Sequence, residues 1–155
     1  MIAQEIAAIL AENFGGRILE SKSDAINPWS AVEPSAILEV CQFLRGDSRL
    51  GMDHLELLGG ADYKDRIEVI YVLYSLTHTH RYTLKCRLPR EAPALHSVES
   101  VWKVANWHER EAYDMFGIVF EGHTDLRRIL CPDDWEGYPL RKDYKFPKSY
   151  RDMPV

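Results

Sequence analysis

The 155 residues, 46% of them hydrophobic, suffice for one domain around one core and exclude a chain disordered throughout. The net charge of −5 is unevenly spread: from position 139 onward five basic residues (Arg141, Lys142, Lys145, Lys148, Arg151) meet two acidic ones (Asp143, Asp152), a balance of +3 that leaves −8 on residues 1–138. An acidic body with a basic end excludes general nucleic-acid binding, which draws its affinity from a basic face, and suits a tail that docks on an acidic protein surface.

Ile2, Ile6, Ile9 and Leu10, with Phe14 a turn later, recur at helical spacing, and Gly15-Gly16 supplies the left-handed residue on which a helix ends. This first stretch lacks the basic leader of a secretion signal, and no apolar run reaches the roughly 20 residues of a membrane span. The expectation is a soluble chain that opens on a helix. Residues 17–21 read as a short strand and 23–29 as a polar connection holding the turn pair Asn27-Pro28. Pro34-Ser35 opens a second helix, because a proline in the first turn gives up no hydrogen bond. Ile37, Val40, Cys41 and Leu44 form its buried stripe and Gly46 its end.

Residues 54–58 predict a strand, with Gly59, Gly60 and Asp62 as a bulge or turn after it. Residues 67–76 carry the strongest strand pattern. Ile67, Val69, Tyr71 and Leu73 point one way and Ile70, Val72, Tyr74 and Leu76 the other, which predicts a central strand covered on both faces. After the connection 77–80, Tyr82, Leu84, Cys86 and Leu88 alternate with Thr83, Lys85 and Arg87, so the next strand has one wet face and closes an antiparallel hairpin. Past Pro89 and Pro93, Ser97 and Glu99 suit the start of a third helix. Val101, Val104, Ala105, His108, Ala112 and Met115 fall on one arc of it, with Lys103, Arg110 and Asp114 opposite and Gly117 at its end. Only 118–120 look regular beyond that point. The pattern is an α+β domain, residues 1–122, of three helices and a mainly antiparallel sheet, followed by an extended C-terminal docking arm, residues 123–155. The arm has no periodicity from which to bury itself, so it is expected to fold against a partner and not its own domain.

The residues that carry chemistry are few. Glu109 and Glu111 could be the carboxylate pair of a hydrolase. Two positions apart on a helix they diverge by about 200°, so Glu109 reads instead as an ion-pair partner for an arginine of the arm or a neighbour. His78 and His80 could share a metal from one face of an extended segment, but no third and fourth ligand stands near them. Gly15-Gly16 and Gly59-Gly60 lack the pattern of a phosphate cradle. Cys41, Cys86 and Cys131 lie 45 residues apart, too far for the compact set of about four thiolates that holds an iron–sulfur centre, and they read as reduced thiols. Trp107, Phe116, Trp135, Tyr138, Tyr144, Phe146 and Tyr150 are interspersed with Arg127, Arg128 and Arg141, the residue types of interface hot spots. Core packing accounts for Trp107 and Phe116; the arm's aromatics ask for a partner.

Glu109-Arg110-Glu111, Asp114-Met115-Phe116, Gly117, His123 and Arg127-Arg128-Ile129-Leu130 stand at the spacing of one respiratory-chain signature. Trp135, Gly137 and the run Pro139, Leu140, Arg141, Lys142, Asp143, Tyr144 continue it. From residue 52 to 147 the chain resembles the 30-kDa subunit family of respiratory complex I, the proton-pumping NADH:quinone oxidoreductase. The resemblance implies a subunit of the peripheral arm with no catalytic residue and no cofactor of its own, packed beside the large subunit that helps form the quinone cavity. Iron–sulfur clusters, FMN and quinone then belong to partner subunits, and the chain supports electron transfer from NADH to quinone and the coupled proton translocation. It implies a place on the cytoplasmic side of a bacterial inner membrane, touching the bilayer only through the complex. Glu109, Arg110, Glu111, Asp114, His123, Arg127 and Arg128 carry over as structural and interface residues. The alternatives are the equivalent subunit of a ferredoxin-linked dehydrogenase or membrane-bound hydrogenase, or a stand-alone hydrolase using Glu109 or His123.

Overall fold

The computed structural model describes residues 1–151 together with 153 and 154. Helix α1 (Ala3–Phe14) buries Ile6 and Leu10, a turn apart on one side, and its first turn is closed by the Glu5 carboxylate, which accepts the N–H of Ile2. Strand β1 (Ile18–Lys22) follows. The polar connection then gives way to a strand that residues 23–29 do not announce, β2 (Trp29–Val32). A single turn from Pro34 leads into α2 (Ile37–Gly46), which buries Ile37, Val40, Cys41 and Leu44 as its spacing predicts.

Three long strands come next: β3 (His54–Asp62), β4 (Arg66–Ser75) and β5 (His80–Pro89). The sheet order is β1-β2-β5-β4-β3, antiparallel throughout except that β2 runs parallel to β5. Gly59 and Gly60 do not turn the chain. They pair with Ile70 and Val69 inside β3, and the irregularity falls earlier, between Leu55 and Leu57. The reason is the neighbouring helix end: a Cβ on Gly60 would lie 2.5 Å from the Phe116 ring, so the glycine is there to admit that ring.

Helices α1 and α2 supply apolar side chains to one sheet face, where Ile67, Val69, Tyr71 and Leu73 of β4 meet Tyr82, Leu84, Cys86 and Leu88 of β5 in the core. The other face is open. Ile70, Val72 and Tyr74 are only half-buried, Leu57 is 49% exposed and Leu76 is 65% exposed. The expectation that β4 is covered on both faces is corrected: no described layer of this chain lies over the second face.

Strand β6 (Ala94–His96) pairs in parallel with β7 (Val119–Glu121), and between them runs α3 (Ala105–Phe116). The third helix therefore begins well after Ser97; residues 97–104 form turns in which Val98 O accepts the N–H groups of Val101 and Trp102. After β7 the only described regular structure is the short antiparallel pair β8 (Ser149–Tyr150) and β9 (Met153–Pro154).

Candidate functional site

Most of what the signature contributes converges on the last two turns of α3. Gly117 ends the helix at φ 73°, a left-handed turn that residues with a Cβ adopt at a cost, and the Tyr138 ring sits where a Cβ would be, 2.5 Å away. The segment 123–144 then returns along the helix. Leu140 N–H donates to Met115 O at 3.1 Å and Arg141 Nε to Phe116 O at 2.7 Å, so an amide and a guanidinium satisfy carbonyls that the helix end leaves unpaired.

Asp114 is the hub. Its carboxylate is fully buried and accepts four hydrogen bonds: Oδ1 from Arg128 Nη1 at 2.7 Å, and Oδ2 from the N–H groups of Ile129, Leu130 and Cys131 at 3.0, 2.7 and 2.8 Å. Burial works against its ionisation, but the Cys131 N–H, the Arg128 guanidinium and the amides of Ile129 and Leu130 outweigh it and hold the carboxyl below its usual range. Arg128 Nη2 donates to Trp135 O and Gly137 O, at 2.8 and 2.9 Å, and the guanidinium lies over the Tyr138 ring. Arg110, a turn before Asp114, donates to the carbonyls of Arg127 and Arg128 at 3.2 and 3.1 Å and lies over Trp107. One carboxylate and two guanidiniums thus fix residues 127–137 on the helix.

A second tie reaches the sheet. Asp62, at the end of β3, pairs with Arg90 and accepts the Lys142 N–H at 2.7 Å, while Arg90 also donates to Asp143 at 2.7 Å. The Arg90 guanidinium is the main reason the Asp62 carboxyl is held far below its ordinary value. Tyr144 completes the return by laying its ring on Gly137, 2.7 Å from where a Cβ would be, and donating to Glu136 O.

Glu109 stands apart from this network. It is fully buried, yet its partners are the Ser97 hydroxyl at 2.6 Å and the Val98 N–H at 2.7 Å, not an arginine. The expected ion pair is absent because Glu109 faces the turn at 97–98, whose hydroxyl and amide take both carboxylate oxygens. Burial pushes its carboxyl up to about 7, against the pull of those two hydrogen bonds. Glu111 points to solvent. His123 accepts the Asp125 N–H at Nδ1, which leaves Nε2 to donate to Asn106 O: it is a turn residue. Arg127 is exposed and pairs with Asp125.

Two further corrections follow. Arg110 and Asp114, assigned to the side of α3 away from the core, are buried because the returning segment covers that side; Trp107, assigned to the core, is 59% exposed. The arm residues 123–144 accordingly make their contacts with their own domain, where a partner alone was expected. Asp62, Arg90 and Ser97 join the site without any motif to mark them. Only the cluster of arginines downstream hints that buried carboxylates wait for them. His78 and His80 stack 5.6 Å apart, each ring directed at a backbone carbonyl, and among the described residues no group of three or more His, Cys, Asp or Glu is placed to hold a metal. No described helix is long and apolar enough to cross a membrane.

The sequence model of one family, respiratory-chain NADH dehydrogenase, 30 Kd subunit, matches residues 30–150. The NADH-quinone oxidoreductase C subunit of Chloroherpeton thalassium is 47% identical over 95% of this chain, which spans 62% of that relative's length. The C subunit of Chlorobium phaeobacteroides is 40% identical over 99% of this chain and 96% of its own length. Among solved structures, the trypsin-resistant fragment (1-134) of Nqo5 superposes with a TM-score of 0.66 at 30% identity, covering 78% of this chain and 98% of the fragment. A chain of an archaeal membrane-bound sulfane sulfur reductase shares the fold with a TM-score of 0.73 at 23% identity, covering 92% of this chain and 85% of its own. The chain belongs to the respiratory-chain NADH dehydrogenase 30 Kd subunit family, that of the NADH-quinone oxidoreductase C subunits.

Proposed function

We propose that the chain is a non-catalytic, cofactor-free subunit of the peripheral arm of a proton-pumping NADH:quinone oxidoreductase, docked beside the large subunit that forms the quinone cavity. The iron–sulfur clusters, FMN and quinone of the complex sit in partner subunits, and the chain's place is the cytoplasmic side of the membrane that carries the complex. The observation that carries this reading is the Asp114 carboxylate, whose four hydrogen bonds within the chain turn the signature into a clamp. Asp114, Arg110 and Arg128 are occupied in holding residues 127–137, so their role is to shape a surface. That surface exposes Trp107, Leu130, Leu140 and Phe146, residues suited to a partner's apolar anchor points.

The reading divides the chain into a body, residues 1–122, and an arm, residues 123–155. The test is purification of the tagged full chain from native membranes. The expected result is co-elution with an NADH-oxidising flavoprotein subunit, iron–sulfur subunits and NADH:quinone activity. Recovery with a ferredoxin-linked or hydrogenase complex, or alone, would overturn it.

A further inference from the structure

The open face of the five-stranded sheet is the largest feature the clamp leaves unexplained. In an antiparallel sheet with one wet face, that face is ordinarily polar. Here one cross-strand row runs Trp29, Thr83, Val72, Leu57 through β2, β5, β4 and β3, and the next row places Ile70 between Lys85 and Gly59. A shallow depression lies over β2, β5 and β4, with Trp29, Ile70, Val72 and Thr83 on its floor and Asn27, Arg81 and Lys85 around them. A contiguous, largely apolar strip of this kind on a sheet face that no described layer covers marks a contact surface.

Its rim decides the partner. Lys85 Nζ stands 4.2 Å from the Trp29 ring centroid and Lys22 Nζ 5.8 Å. Arg81 is neutralised by Glu56, and Arg87 is held by Glu20 and Glu68. The ion pairs of this face engage the arginines and not these two lysines. Lys22, Arg66, Arg81, Lys85 and Arg87 against Glu20, Glu56, Glu68 and Asp65, the other partner of Arg66, leave the face at +1, on a chain whose total is −5. Phosphate backbones would have to strip the arginines from their carboxylates, and an anionic bilayer gains only about 1 kcal/mol per basic residue, too little for two free lysines. An acidic protein segment needs neither.

From the apolar rows and the lysine rim we infer that this face docks an amphipathic segment of a second protein subunit, apolar along its centre and flanked by Asp or Glu that reach Lys22 and Lys85. The inference rests on the chain being a subunit of a larger complex, and it adds a contact surface on the side of the sheet opposite the core. The experiment places photoreactive p-benzoylphenylalanine at position 72 of the full chain in its native host, irradiates membranes, and sequences what is linked. The expected product is one polypeptide, linked through a peptide that alternates apolar residues with Asp or Glu. In parallel, Lys85→Glu is expected to melt within a few degrees of the parent while its recovery in the complex falls at least tenfold, with Lys85→Arg at the parental level. Assembly of Lys85→Glu at the parental level overturns the inference, as does a position-72 adduct with lipid or RNA, or no adduct in the assembled complex. Should Lys85→Glu fail to fold, the adduct alone decides. Failure of the parent chain to co-purify with any complex would instead overturn the proposed function, so the two failures are distinguishable.

Discussion

Asp114 and Glu109 lie on one helix, both fully buried, and their carboxyls move in opposite directions. The difference is the number and kind of donors: a guanidinium and three amides for Asp114, one hydroxyl and one amide for Glu109. For Glu109 the folded value, about 7, is above the unfolded 4.5. Its contribution to stability is therefore complete below 4.5 and is lost as pH rises toward 7, because the folded state must then hold a buried charge. Glu109→Gln removes that charge while its oxygen still accepts the Val98 N–H and its amide nitrogen donates to the Ser97 Oγ, reversing that bond. Melting curves across pH 4.5 to 8 should show the parent losing on the order of 3 kcal/mol relative to the variant, an effect set by the size of the shift. Parallel curves would mean the carboxyl is not perturbed. For Asp114 the sign is reversed: its stabilisation is present at neutral pH and fades only in acid. Asp114→Ala strands Arg128 and three amides, a loss of roughly 3 to 5 kcal/mol for a broken buried pair. The cost falls on the returning segment, so hydrogen exchange at Ile129, Leu130 and Cys131 should accelerate by orders of magnitude while β4 and β5 amides stay protected. Unchanged exchange would show that the clamp does not depend on Asp114. Arg127 and Arg128 look alike in the sequence, yet the first is exposed and the second is the bridge. Arg128→Ala is expected to destabilise the arm and Arg127→Ala to leave it in place.

At the scale of elements, Gly117 is where the helix hands the chain over. Gly117→Ala places a Cβ at φ 73° and against the Tyr138 ring, so it should lower stability by about 1 to 2 kcal/mol and loosen residues 138–141 first; an unchanged melt would show that the ring simply moves aside. Periodicity makes α1, α2 and the β4–β5 hairpin legible, because each buries its own apolar stripe. It fails where burial comes from outside the element. The stripe of α3 places Arg110 and Asp114 in solvent, since no spacing rule knows that residues 127–141 return to cover them. Trp29 sits beside Asn27-Pro28 and reads as a turn, because β2 is four residues long and gains its order by joining the edge of β5. The double apolar face of β4 is right as a pattern and wrong as a burial. Hydrophobicity says that a face seeks cover but not whether this chain provides it, and Val72 is accordingly half-buried on the open side.

Across the whole molecule the recurring theme is surface prepared by internal chemistry. The body supplies buried carboxylates, Asp62 and Asp114; the returning segment supplies Arg128, Arg141 and the Lys142 amide; Arg90 links the two. The resulting fold keeps a segment of little regular structure in one shape before any partner arrives, which lowers the ordering cost of docking. Under the proposed function, such a subunit serves an enzyme by making it assemble. The most direct test separates amount from rate in membranes carrying Arg128→Ala: the quantity of assembled NADH:quinone oxidoreductase, and its turnover per assembled complex. The predicted result is less complex, with turnover per complex within a factor of two of the parent. Parental amounts of complex with turnover reduced tenfold or more would contradict it, because the signature would then be acting on the reaction itself.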